Sequence, residues 1–267
     1  MDGCIRFACL GLCLLVATAP TLAVEPKSAA LSPVQSPVRV ATLAFIEPDG
    51  TRLPVVEVWS NGFVQAVEQG GTRDNPAQIT RKDQLTAAEM RELYRLLAGE
   101  CRIPSLSSAS IRQSLQAASQ EQQLTSEITG AAETEVGLLV GKHWHAVTCP
   151  AVSILTTRFP DVAEVQNVAT AQARLQNIAA VALLGGSEVA DRQAVAATRK
   201  LRELHPEAGV ITRRDLKMVR QLPNGNRFVQ FHYAGSPGQG NACLVSLTQS
   251  PMGPTRMSVL DSPTIVR

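Results

Sequence analysis

Val55-Val56-Glu57-Val58-Trp59-Ser60-Asn61-Gly62-Phe63-Val64-Gln65-Ala66-Val67 sets two runs rich in valine and aromatic residues on either side of a short turn. Such residues fit a pleated, half-buried surface, and Asn61 and Gly62 tolerate the positive φ of a tight reversal, so the stretch reads as a β-hairpin. Upstream, residues 38–46 alternate loosely and stop at the turn signal Glu47-Pro48-Asp49-Gly50, which makes them a strand. Downstream, Leu85-Thr86-Ala87-Ala88-Glu89-Met90 opens a helix. Thr86 can accept from the first amides, Glu89 can reach back, and Leu85 can pack on Met90, a capping box with its hydrophobic staple. Met90, Leu93, Leu96 and Leu97 form the core side of that helix, which is expected to stop near Gly99.

Further along, residues 105–123 are rich in Ser and Gln, yet Ile111, Leu115 and Ala118 recur at helical spacing, which predicts a short surface helix. Residues 135–140 and 143–148 bracket Gly141-Lys142 as a second hairpin. Beyond Pro160-Asp161, a helical stripe from Val165 to Ala182 runs to Gly185-Gly186, paired glycines that stop a helix and mark a domain boundary. Ser187 is expected to cap the next helix, whose stripe is Ala190, Ala194, Ala197, Leu201 and Leu204, with Pro206 as its stop. Strands follow at residues 216–222, 227–233, 242–249 and 255–260. The fold class is therefore α+β, two small units of antiparallel hairpins packed on helices, one over residues 38–186 and one over 187–267.

The first 23 residues carry a different message. Arg6 precedes an apolar run that ends at Pro20, and Thr21-Leu22-Ala23 offers small residues at a cleavage position. The run is shorter than the roughly 20 residues of a bilayer span, so it reads as a removable signal peptide, with an uncleaved anchor as the alternative. Residues 24–37 are polar and proline-punctuated, a flexible leader. The mature chain is expected in the periplasm or outside the cell, with no membrane span.

Composition excludes several classes of partner. The net charge is +2 and aromatic residues make up 4% of the chain, so the basic stripe and stacking rings of a nucleic-acid binder are missing. The same scarcity of rings argues against a carbohydrate platform. Cys4, Cys9 and Cys13 fall within the signal, leaving Cys101, Cys149 and Cys243 in an oxidising compartment. Cys101 with Cys149 is the expected disulfide, because both lie at ends of elements in the first unit, while Cys243 alternates with Val245 and Leu247 as a small core residue. Three free thiols are the alternative.

Few residues could carry chemistry. His143-Trp144-His145 would turn two imidazoles to one side of a strand, a metal site only if a third ligand joined them; the competing reading is two partly exposed histidines flanking a core Trp144. Cys149 near His143 and His145 is a thiol nucleophile on paper, but nothing in the sequence exposes or activates it. The loop Gly235-Ser236-Pro237-Gly238-Gln239-Gly240-Asn241 lacks the Lys and helix of a phosphate cradle and reads as a hairpin loop. Its Ser236, Gln239 and Asn241, with Asn61 and Gly62 of the first hairpin, are the candidate partner contacts. Arg213-Arg214 and the cluster Arg199, Lys200, Arg202 read as solvated faces. No catalytic residue, metal or cofactor is assigned.

The hairpin around Ser60-Asn61-Gly62, the helix from Leu85-Thr86-Ala87-Ala88-Glu89-Met90 to Leu96-Leu97 and the valine-rich hairpin after it together resemble small secreted bacterial modules typified by the emfourin protease inhibitors. The C-terminal helix and meander is similar in outline to cystatin-like and PepSY modules. The closer likeness is to uncharacterised secreted bacterial α+β proteins, which implies a location and no activity. The Gln-x-Val-x-Gly hairpin of cystatin inhibitors is missing, so no inhibitory residue carries over. The expected function is that of an exported, non-enzymatic protein-binding module acting on another exported protein, with protease inhibition as its sharpest form. A hydrolase or metal-dependent enzyme built on His143, His145 and Cys149 is the alternative, and a structural envelope component the third reading. N-terminal sequencing of the exported product is expected to begin at Val24; a product beginning at Met1 or Asp2 would show the segment to be retained.

Overall fold

The computed structural model describes residues 36–72, 75–235, 242–251 and 253–261. The signal, all of the leader but its last two residues, and Ser236, Gln239 and Asn241 lie outside them. Residues 37–267 belong to one compact unit. Its architecture is α+β, with two antiparallel sheets and helices on one face of each.

The first sheet is built by β1 (Arg39–Ile46), β2 (Arg52–Trp59), β3 (Phe63–Thr72), β4 (Asn75–Gln84), β5 (Glu133–Val140) and β6 (His143–Pro150), in the order β4-β3-β2-β1-β5-β6. The expected hairpins are β2–β3 and β5–β6, with Val58 opposite Val64 and Val140 opposite His143. β4 is not legible in the sequence: NPAQITRKDQ has no alternation and only Ile79 and Thr80 as β-branched residues, and pairing with β3 along its whole length imposes the strand. Leu43, Val56, Val64, Ala66, Val136, Leu138 and Val147 point to one core.

Helices α1 (Ala87–Tyr94), α2 (Ser108–Gln122), α3 (Val152–Arg158) and α4 (Ala163–Leu184) complete that half. Both arms of the capping box form at α1: Thr86 Oγ1 accepts from Glu89 N at 3.2 Å, and Glu89 Oε2 accepts from Thr86 N at 2.9 Å. The helical path ends near Gly99, as expected, but its last turn, Arg95–Glu100, is π-helical. α2 is longer than a marginal surface helix because Ile111 and Leu115 are buried beneath it. It also guards an edge of the sheet, since Ser108 Oγ accepts from Thr148 N of β6 at 3.0 Å. The short α3 had no periodicity long enough to be read.

The second sheet consists of β7 (Leu216–Gln221), β8 (Arg227–Tyr233), β9 (Cys243–Gln249) and β10 (Arg256–Asp261), the expected meander in the order β10-β9-β8-β7. Against it lies α5 (Ser187–Leu204), which buries Ala190, Ala194, Ala197 and Leu201. Two details differ from expectation. Ser187 is the first helical residue and Gly186, at φ +95°, takes the cap position, because the reversal between α4 and α5 needs a left-handed backbone there. Leu204, placed in the apolar stripe, is 58% exposed, since the stripe loses its cover at the last turn.

α4 is shared by the two halves. Val165, Val168, Ala171, Leu175, Ile178 and Ala182 join the first core, whereas Ala180, Val181 and Leu184 join the second. Between these sets sits Asn177, 6% exposed. Its Nδ2 donates to the carbonyls of Arg213 at 2.8 Å and Leu216 at 2.9 Å, and its Oδ1 accepts from Arg174 Nη1 at 2.9 Å. The start of β7 is thereby fastened to the helix that carries the first core. Buried carbonyls left without donors cost about 1–3 kcal/mol each. Asn177→Ala is therefore expected to lower unfolding free energy by about 2–4 kcal/mol, read as a reduced urea midpoint.

Candidate functional site

Three places hold the residues that could act. At the tip of β2–β3, Asn61 Oδ1 accepts from Phe63 N at 3.0 Å and Gly62 takes φ +84°. The tip is also stapled to the chain entering α1: Leu85 N donates to Gly62 O at 2.8 Å, and Gln84 Nε2 to Asn61 O at 2.6 Å. A Cβ on Gly62 would collide with Leu85 O. Asn61 is exposed while Gly62 is buried, so the tip presents one side chain rather than a projecting loop.

The second place is β6. His143 and His145 occupy alternate positions on one side of the strand, His143 exposed and His145 half-buried. Cys149 continues that side, but at about 3.3 Å per residue it stands roughly 13 Å from His145. It is sealed in the core, and burial, followed by the charge of Glu133, pushes its thiol up to about 12. No group of three His, Cys, Asp or Glu side chains with metal-holding geometry occurs among the described residues. Trp144 is not the core residue expected between the histidines. It faces the other side, 41% exposed, laid over Gly137 of β5 with Arg39 stacked on its ring at 5.4 Å from the centroid. Gly137 leaves the space that the indole fills.

The disulfide expected between Cys101 and Cys149 is not formed: both thiols are free and buried, and Cys243 is buried as well. Each enters the apolar core from a different element, Cys101 behind the π-helical turn and Cys149 from β6, so both serve as small apolar core residues. Burial, then Glu100, pushes Cys101 up to about 11. Cys243 fills the second core, as its alternation with Val245 and Leu247 implied.

The third place was not expected. Where α1, α4, α5 and the turn before β7 meet, Arg213 forks between two helices, donating to Glu89 Oε1 and Asp191 Oδ2, each at 2.8 Å. Arg214 pairs with Glu92 at 2.6 Å. The sequence showed the Thr86–Glu89 capping box but not that the second oxygen of Glu89 receives an arginine from 124 residues away. Arg213-Arg214 had read as a solvated face; nothing local reveals its acidic partners. Beside this network, a cavity of about 40 Å³ opens among Asp83, Glu89, Arg174, Asn177 and Arg213. It is far below the roughly 300 Å³ of a small-molecule site. Arg174 Nε is buried there with no hydrogen-bond partner among the described residues.

The two carboxylates lining the cavity are perturbed in opposite directions. Burial raises Asp83, and the charge of Glu89 adds to this against the opposing Gln84 amide and Arg213. Burial would raise Glu89 as well, but the Thr86 amide and hydroxyl, then Arg213 and Arg174, outweigh it and hold Glu89 below its ordinary value. Comparison with protein-family models, curated proteins and solved structures gives no match.

These directions fix two signs. Glu89, lowered on folding, contributes stability above its unfolded value and loses it as pH falls through the folded one; Asp83, raised, favours folding only in acid and opposes it once pH rises through its folded value. Glu89→Gln should therefore destabilise the protein at pH 7 by about 1–2 kcal/mol, the scale of a lost cap and charged hydrogen bond. Asp83→Asn should stabilise it at pH 7 and change little near pH 3. Chemical denaturation at the two pH values checks both.

Proposed function

We propose that this chain is an exported, non-enzymatic protein-binding module that works by surface contact with another exported protein. One observation carries the reading: the reactive side chains are dispersed or sealed, while apolar side chains lie open where β1, β5 and β6 meet. Val38 is 51% exposed, Val140 37% and Trp144 41%, all at the same end of the first sheet. Trp144 and Arg39 together form an aromatic-cationic pair of the type enriched at interface centres. No described helix is long and apolar enough to cross a membrane, and the export reading rests on the N-terminal sequence. Protease inhibition is the sharpest form of the proposal, although a β2–β3 tip stapled to Gln84 and Leu85 is a poor probe for a deep cleft.

The enzymatic alternative would need Cys149 as a thiolate beside His145, against its burial and raised thiol. Photo-crosslinking in the exported fraction from position 144, compared with a control position on α3, tests the proposal. A discrete crosslinked protein from 144 alone is expected, together with native protein unreactive to thiol and serine probes and with Cys149 labelled only after denaturation. Labelling of native Cys149, or identical crosslinks from both positions, would overturn it. A panel of secreted proteases assayed with the purified protein decides the inhibitory form.

A further inference from the structure

The two sheets treat their outer faces differently. On the first, Arg39 pairs with Glu57 at 2.7 Å and Arg52 with Glu135 at 2.8 Å, while Lys82 lies over the Phe63 ring at 5.7 Å. On the second, the inner face is committed to the core with α5, through Val219, Val229, Phe231, Val245 and Leu247. The residues that alternate with these form the opposite face. Its first rung is Arg220, Phe228, Thr248 and Arg256, aligned across all four strands. Below it comes a mostly polar rung of Met218, Gln230, Ser246 and Ser258, and then His232, Leu244 and Leu260, with Leu260 60% exposed. Lys217 stands exposed in the irregularity at the start of β7.

None of the positions on this face is acidic, and neither Arg220, Arg256 nor Lys217 has an ion-pair partner among the described residues. Asp215, just before β7, accepts from Thr212 N at 2.7 Å and its hydroxyl at 2.8 Å, and its charge reaches His232 at the far end of the face from Arg220 and Arg256. The first rung therefore presents the Phe228 ring and the Thr248 side chain between two arginines without ion-pair partners among the described residues, in a chain whose other exposed arginines include several that are paired.

We propose that the outer face of the second sheet docks an extended acidic segment of a partner polypeptide, its carboxylates on Arg220 and Arg256 and an apolar side chain over Phe228. The spacing gives the pattern. β7 and β10 are three strand intervals apart, about 14 Å at 4.8 Å each, and an extended chain covers that distance in about four residues. Side chains at i, i+2 and i+4 of an extended segment share one side, so the complementary motif is acidic-x-apolar-x-acidic. Nucleic acid fits less well, because Phe228 is the single phenyl ring on the face and single strands bind on successive rings. An anionic membrane fits less well too, because Leu260 alone stands well clear of the surface and the cations sit on opposite edge strands.

This inference rests on the protein-contact reading and adds a surface and a partner chemistry to it. The probe is a labelled peptide carrying Glu-Ser-Val-Ser-Glu twice, with a scrambled peptide of the same composition, vesicles containing phosphatidylglycerol and a single-stranded oligonucleotide as the other arms. Binding is followed by anisotropy against the full mature chain. The patterned peptide is expected to bind more tightly than the scrambled one, and to weaken about tenfold between 50 and 300 mM salt and about tenfold in Arg220→Glu/Arg256→Glu. Arg220→Gln/Arg256→Gln, which adds no repulsion, should weaken binding with an unchanged melting temperature, separating contact from misfolding. Equal binding by the charge variants, no preference for the patterned peptide, or tighter binding of vesicles or oligonucleotide would overturn the proposal. Such a failure would leave the crosslinking result at position 144 standing, since that experiment reads the other sheet.

Discussion

The amide of Asn177 is the small interaction on which the arrangement of the two sheets depends. It lies on a helix whose apolar residues are divided between two cores, and it supplies the donors that the backbone entering β7 needs. A hydrophobic residue there would fill the volume and leave those carbonyls without partners. Polar groups buried in this way specify one arrangement because only one places every donor on an acceptor. The N–H of Gln221 reinforces the same junction, donating to Glu68 Oε1 of β3 at 2.6 Å. β7 is thus an edge strand whose outward groups are received by the first half of the chain rather than left for a foreign strand.

Charge completes what the amide begins. Arg213 holds α1 and α5 by one carboxylate each, and Glu89 serves both its own helix cap and that arginine. Pairs of this exposure are individually modest. Their effect comes from sharing: Glu89 cannot be removed without loosening a helix start and a contact between distant segments together. Arg174 and Asp83 show the opposite situation, polar groups drawn into the junction with incomplete compensation, the guanidinium by an unpaired Nε and the carboxyl by a raised protonation point. The cavity between them is far smaller than a small-molecule site, and the network around it fastens α1, α4 and α5 to the turn before β7.

The functional reading follows from where the chemistry ended up. Residues that might have cooperated lie along one strand, and a strand spreads alternate side chains over a line instead of gathering them at a point. Cys149 lies at the buried end of that line and His143 at the open end. What remains at the surface supports the proposed contact reading: an indole over a glycine on one sheet and a phenyl ring between two arginines on the other. Both are properties of sheets covered by helices on one side only.

Sequence alone determined the local elements and the fold class. The alternation of Val and aromatic residues around Asn61-Gly62, the Thr86–Glu89 box, the long stripe ending at Gly185-Gly186 and the C-terminal meander each follow from interactions within a few residues, and each stands in the structure. Tertiary structure alone decided β4, the exposure of Trp144, the free state of Cys101 and Cys149, and the partners of Arg213 and Arg214. The reason is range. A polar segment becomes a strand when a neighbour offers hydrogen bonds, an indole turns outward when a glycine two strand positions away leaves it a seat, and an arginine finds its carboxylate more than a hundred residues distant, and none of those partners is adjacent in sequence.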